Sequence, residues 1–345
     1  MGPPLDATIL DVSWDVAPPR PDTACAGGAV LPAQKRQIDL YMMIDNSGSM
    51  DMVDTGQTLS RWDNLAQAIP TFVNDPVNAG MEVGVDFFPE GGLQASCNVT
   101  DYTMANVPID FLPGTNNAQA NAIVTAVQGR ARSGGTPTVP ALTGALQAAK
   151  AWQMQNPQHA LSVLFLTDGQ PTGCQGNTVN AAAAVAQMYS TGIPPIKTYV
   201  LGVGPDTGNL DSIAAAGGST MAYMVTNGGA GALAAALAAI RKSTVGCEYN
   251  IPLPEGGTVD PTKINVQITI GPAGTPQGIY NVATAAGCGT IRNPTGEGWY
   301  YDVPPPAAPT QIRLCPNSCS PLQVTDGSAV NVVYGCSTQI PPPPI

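Results

Sequence analysis

Residues 38–49 of the chain read IDLYMMIDNSGS: an apolar run from Ile38 to Ile44, followed at once by Asp45-Asn46-Ser47-Gly48-Ser49. The run is short and nearly continuous in its hydrophobicity, the pattern of a strand buried on both faces. Behind it, Asp45, Ser47 and Ser49 carry oxygen-bearing side chains at alternating positions. On one tight loop these three can converge on a point, and Gly48 lets the backbone turn without a Cβ clash. A carboxylate and two hydroxyls make a hard oxygen set suited to Mg2+ or Mn2+. Taken alone, the same residues also describe a turn held by its own Asp and Ser side chains.

Two more segments extend the pattern. Ser133-Gly134-Gly135-Thr136-Pro137-Thr138 is a Gly-rich loop ahead of a helix and offers Thr136 as a further hydroxyl. Leu164-Phe165-Leu166-Thr167-Asp168-Gly169 sets a carboxylate directly after the most hydrophobic strand, Ala160–Thr167. Each has a local explanation, Thr136 as a helix N-cap and Asp168 as the start of a turn. Their joint order, each at a strand end or before a helix, is not explained that way. Between and beyond them the chain alternates. Met81–Phe88 and Lys197–Val203 have strand character, while 60–73, 116–128, 138–153, 178–189, 209–215 and 229–241 have helical spacing. In the first of these helices Trp62, Leu65, Ile69 and Phe72 form the apolar face. Such alternation predicts an α/β fold, a parallel sheet with helices on both faces. Ligands of such sheets bind outside the carboxyl ends of the strands, where Asp45 and Asp168 fall.

The order Asp-x-Ser-x-Ser, Gly-Gly-Thr-x-Thr, apolar-Thr-Asp-Gly resembles the metal-ion-dependent adhesion site of von Willebrand factor A domains. The resemblance spans about residues 37–245. Matched residue by residue, it makes Asp45, Ser47, Ser49, Thr136 and Asp168 the metal-site positions, and none departs from the pattern. It implies a three-layer, Rossmann-like domain. It also implies that the ion is Mg2+, with Mn2+ or Ca2+ as alternatives, and that it is not a catalyst. The two serines and the threonine ligate through their hydroxyls, the aspartates act partly through water, and a partner's acidic group completes the shell. The whole chain is also similar to secreted bacterial proteins of this family that append a Cys-rich β region.

These readings divide the chain into a Pro-rich N-terminal arm or linker (1–36), the A domain (37–246), a Cys-rich β domain (247–340) and a Pro-rich tail (341–345). After Cys247 helical periodicity disappears, and short β-type runs appear at Ile264–Ile270, Trp299–Val303, Gln311–Leu314 and Val330–Tyr334. This predicts a small all-β unit stapled by disulfides because its own core is thin. Eight cysteines without a CxxC pair, beside a single histidine, favour disulfides over zinc, and hence an oxidising compartment. The first thirty residues lack a basic start followed by an apolar core, so the expectation is a mature chain whose export signal has been removed. Given the ends of the resembled fold, Cys25–Cys247 and Cys97–Cys174 are the favoured pairings, with the other four cysteines left to the β region. In some relatives ligand binding is coupled to displacement of the last helix. A Cys25–Cys247 bond would tether that helix and hold the domain in one binding state.

The net charge of −11 disfavours nucleic acid and anionic lipid as partners. No apolar run reaches the length of a membrane-spanning helix, so surface anchoring would act through residues missing from the N-terminus. No nucleophile–base triad can be assembled. The one histidine, His159, is expected to be a solvated loop residue, and Asp51 and Asp54 a solvated acidic loop. The expected function is therefore that of an extracellular or bacterial-surface adhesion protein, not an enzyme, whose ion binds an acidic group on a protein or glycoconjugate. The alternatives are a structural subunit of a surface appendage with a fold-stabilising metal, and a cytosolic A domain serving a chelatase-like machine.

Overall fold

Two short strands, Val30–Pro32 (β1) and Gln34–Lys35 (β2), precede the apolar run, which forms the strand β3 (Gln37–Asp45). The structure is a computed structural model. It describes residues 29–341 apart from 113–116, 206, 208, 227–228, 245–246, 255–258, 291–295 and 326. The chain divides into two compact units, one of them Arg36–Gly246 and the other formed by the residues on either side of it.

Within Arg36–Gly246, β3 is followed by α1 (Arg61–Val73), β4 (Glu82–Phe88), β5 (Val107–Phe111), α2 (Ala118–Gln128), α3 (Thr138–Gln155) and β6 (His159–Thr167). Then come α4 (Val179–Ser190), β7 (Lys197–Val203), α5 (Leu210–Ala216), β8 (Tyr223–Val225) and α6 (Ala230–Thr244). The six strands form one sheet in the order β5-β4-β3-β6-β7-β8. Every pairing is parallel except that of β5 with β4. Side chains alternate across a strand, and β3 shows the consequence. Leu40, Met42 and Ile44 pack with Trp62, Leu65 and Ile69 of α1, Ile123 of α2 and Leu237 of α6. Tyr41 and Met43 pack on the other face with Ala145 of α3, Ala186 of α4 and Ile213 of α5. A strand apolar at nearly every position is what this three-layer arrangement requires.

Helix α1 starts where it does because Ser60 caps it. The Ser60 hydroxyl accepts the Asp63 N–H at 3.0 Å and donates to the Asp63 carboxylate at 2.7 Å, a reciprocal cap. That cap makes Arg61 the first helical residue.

In the second unit the strands are β1, β2, β9 (Glu248–Asn250), β10 (Ile264–Thr269), β11 (Gln277–Ile279), β12 (Trp299–Tyr301), β13 (Gln311–Leu314) and β14 (Ala329–Tyr334), with a helix α7 (Pro316–Val324). They make two antiparallel sheets, β1-β14-β10-β11 and β12-β13-β9-β2. Ile264, Val266 and Ile268 alternate inward from one sheet and share a core with Trp299, Ile312 and Leu314 of the other. Disulfides Cys247–Cys319 and Cys288–Cys315 close this unit, and Cys336 is disulfide-bonded as well.

Three expectations are corrected here. The second unit is not purely β, because α7 carries Cys319 into the core. Residues 30–35, assigned to the arm, are strands paired with β14 and β9. Cys247 bonds Cys319, so the tether argued from a Cys25–Cys247 bond falls; Cys25 itself lies outside the described residues.

A buried carboxyl of the larger unit gives it a pH dependence. Asp86 on β4 is buried and its Oδ2 has no hydrogen-bond partner. Burial, with the nearby charge of Glu90 adding to it, pushes its carboxyl up to about 7. A folded-state value above the unfolded one means that the folded chain holds the proton more tightly. The contribution of the neutral acid is complete below pH 4 and is lost as pH rises through 7. Asp86→Asn should therefore remove a decline in unfolding free energy of up to about 4 kcal/mol between pH 4 and 8. Urea unfolding of both chains across that range measures it.

Candidate metal centre

Asp45 is the last residue of β3 and is fully buried. Both of its oxygens are held: the Ser47 N–H donates to Oδ1 at 2.8 Å and the Thr167 hydroxyl to Oδ2 at 2.7 Å. The second bond ties the end of β3 to the end of β6. Ser47 Oγ lies 3.0 Å from Ser49 Oγ, and Ser49 donates to Asp168 Oδ1 at 2.8 Å. Asp168, directly after β6, is also fully buried. Four of the five expected residues thus form one hydrogen-bonded cluster at the carboxyl ends of adjacent strands.

Thr136 enters through its loop. Gly48 donates to the Gly134 carbonyl at 3.1 Å and Ser133 to the Asn46 carbonyl at 2.9 Å, docking the Gly-rich loop on the Asp45–Ser49 loop. Gly134 has φ +79°, and a Cβ there would meet the Gly92 carbonyl oxygen at 2.5 Å, so only glycine fits. The Thr136 main chain is pinned from the other side. Its N–H donates to Thr172 Oγ1 at 2.8 Å, and its carbonyl accepts from the Thr172 N–H and from Asn177 Nδ2. Cys174, between those two anchors, is bonded to Cys97 as expected, so the disulfide holds the strut that supports Thr136.

Residues 40–170 match the family model of the von Willebrand factor type A domain. The α/β unit is a von Willebrand factor type A domain. All five site residues lie within the matched segment. Among solved structures, the A-domain chain resembles a von Willebrand factor type A protein from Catenulispora acidiphila, with TM-score 0.44 and 14% identity over 91% of this chain and 65% of the other. It also resembles the pilus adhesin SpaC of Lactobacillus rhamnosus GG, with TM-score 0.46 and 16% identity over 87% and 40%. A third likeness is to the manganese-loaded TRAP protein of Plasmodium vivax, with TM-score 0.42 and 15% identity over 67% and 94%. The chain spans less than two thirds of the length of the first two. No curated protein sequence matches it.

The A domain adds a cation to the cluster that sequence reading missed. Arg61, 3% exposed, donates through Nη1 to Asp168 Oδ2 at 3.0 Å and through Nε and Nη2 to Asp54 at 2.7–3.1 Å. Gly204, at φ +86°, makes room for it: a Cβ there would lie 2.5 Å from the Arg61 Nε. Asp54 is consequently mostly buried and ion-paired, not the solvated acid expected, whereas Asp51 is half exposed and pairs with Arg132. No spacing rule marks Arg61. Its partner Asp168 is 107 residues away.

The electrostatics follow from burial. Removal from water raises the Asp45 carboxyl above its ordinary value, and the Asp168 charge raises it further. Asp168 is likewise pushed up by burial, opposed by the Arg61 and Ser49 hydrogen bonds. Two buried carboxylates, Asp45 and Asp168, thus share the cluster with the Arg61 guanidinium, which donates to Asp168.

His159 is not a solvated loop residue. It opens β6, at the far end of the strand, against Asp39 and Glu82.

Proposed function

We propose that the A domain is a metal-dependent binding module of an extracellular, bacterial-surface protein, and that it captures an acidic group on a protein or glycoconjugate. The observation that carries this reading is the donor set: two fully buried carboxylates and two serine hydroxyls in mutual contact. All donors are oxygen, which suits Mg2+, and Mn2+ or Ca2+ by the same chemistry. Ser47, Ser49 and Thr136 would hold the ion with Asp45 and Asp168. When bound, it supplies a positive centre with an exchangeable position for a partner's carboxylate.

The chain's own residues prepare that role. Ser49 donates to Asp168 Oδ1 and so accepts from Ser47 Oγ, which leaves one Ser49 lone pair to face a cation. The Thr167 hydroxyl and the Ser47 N–H fix the Asp45 carboxylate in one orientation. Neutral hydroxyls compensate the ion's charge only in part, which favours an anionic partner over another water. The single histidine stands at the other end of β6, about 26 Å away at strand rise. The proposed role is binding rather than turnover. The disulfides fit an oxidising compartment.

The test is water-proton relaxation with Mn2+ as the probe. Mn2+ added to the full chain should enhance relaxation through an exchangeable bound water, and acetate should suppress the enhancement. Enhancement that is indifferent to acetate would overturn the capture role and leave a fold-stabilising metal.

A further inference from the structure

At the amino ends of the central strands, three neighbours each bring a ligating side chain to one spot. Asp39 on β3 and Glu82 on β4 are direct partners in the parallel ladder. His159 opens β6 opposite Gln37, two residues before Asp39. One oxygen of each carboxylate and a ring nitrogen of His159 lie within 4.8 Å of one another. His159 Nδ1 is 2.9 Å from Asp39 Oδ2 and 3.7 Å from Glu82 Oε2.

The arrangement concentrates carboxylates at one spot. Like charges in direct register on adjacent strands repel, and Asp39 is fully buried, where an ionised carboxylate needs compensation. Arg36 adds one positive charge nearby, and its guanidinium donates to the carbonyls of Pro157, Gln158 and His159. Ligand atoms of a tetrahedral zinc ion, bonded at about 2.0–2.2 Å, stand about 3.3–3.5 Å apart. The two His159 distances, 2.9 and 3.7 Å, bracket that value. Trp152 Nε1 donates to Asp39 Oδ2 at 2.7 Å, the kind of outer contact that orients a ligating carboxylate. The His159 backbone is anchored by Gln153, whose Nε2 donates to its carbonyl at 2.7 Å. All three ligands sit on rigid strands, and the Glu82 and His159 side chains are 19% and 23% exposed, which leaves a path for an ion and a water.

We propose that Asp39, Glu82 and His159 form a second divalent-metal site of the zinc class, at the opposite end of the sheet from the oxygen-only cluster. The two sites differ in ligand chemistry. Imidazole with carboxylates favours Zn2+ and Co2+ over Mg2+, so each site would select its own ion. This site does not depend on the capture role proposed for the other.

The chain has one histidine, so its imidazole proton resonances report on this site alone. Untagged full chain in excess Mg2+ would be titrated with Zn2+, and separately with Co2+ followed by visible absorbance. The expected result is one equivalent bound, His159 resonances shifted by Zn2+, and an intense tetrahedral Co2+ band. His159→Gln and Glu82→Gln should each weaken binding at least tenfold at unchanged circular dichroism, whereas Asp45→Ala/Asp168→Ala should retain it. Unmoved His159 resonances, or His159→Gln binding as tightly as the parent, would overturn the proposal and leave His159 as a hydrogen-bond partner of Asp39. Loss of binding in Asp45→Ala/Asp168→Ala would overturn it too.

Discussion

Arg61→Ala should lower the unfolding free energy of the metal-free chain by about 3–5 kcal/mol, the cost of stranding buried charge when one partner of a buried ion pair is removed. Two carboxylates depend on this guanidinium. Asp168 is fully buried and Asp54 is mostly so. Neither can recover full hydration, and the pocket beside Gly204 would be left as a void lined by acids. Arg61→Lys keeps the charge but loses the fork that spans Asp54 and Asp168 at once, so an intermediate loss is expected. Saturating Mg2+ should restore part of the stability of Arg61→Ala by neutralising Asp168 directly. Urea unfolding with and without Mg2+ measures all three. A loss below about 1 kcal/mol, as for a surface pair, would mean that Asp168 does not rely on Arg61.

Asp45→Asn should act with opposite sign on fold and on metal. The asparagine carbonyl can still accept the Ser47 N–H, and the Thr167 hydroxyl can reverse to accept from the new amide. The repulsion between Asp45 and Asp168 disappears. Metal-free stability should therefore hold or rise. Mg2+ affinity, by contrast, should fall by about 100-fold or more, since loss of an outer-shell contact alone costs about 10–100-fold. In the parent, Mg2+ at 100 times its Kd should add about 2.7 kcal/mol of stability. In Asp45→Asn that increment should vanish. Thermal unfolding with and without Mg2+ separates the two effects, and an unchanged Mg2+ increment would remove Asp45 from the site.

What the sequence revealed was local in character. The apolar run at 38–44, the loop behind it and the strand before Asp168 are each contiguous, so patterning sufficed for the parallel core, while the resemblance to the A-domain pattern singled out the residues of the cluster. The edge strands were less visible: β5 buries only Val107 of its five residues and β8 only Val225 of its three, leaving no alternation to detect. Helix α7 hid behind Pro316 and Pro321 and has no apolar stripe. Arg61, Asp54 and His159 were misjudged or overlooked because their roles come from partners on other elements. The same reason separates the two disulfide expectations. Cys97 and Cys174 sit in loops of one face, which the fold brings together, whereas the partner of Cys247 lies on a helix the sequence did not announce.

Asp45, Ser47, Ser49, Thr136 and Asp168 are proposed to hold a divalent ion. Isothermal titration of Mg2+ and Mn2+ into metal-free chain, beside Asp45→Ala/Asp168→Ala, tests it most directly. The account predicts saturable binding of one Mg2+ in the parent and none in the double variant. No Mg2+ binding in the parent, or equal binding in both chains, would contradict it.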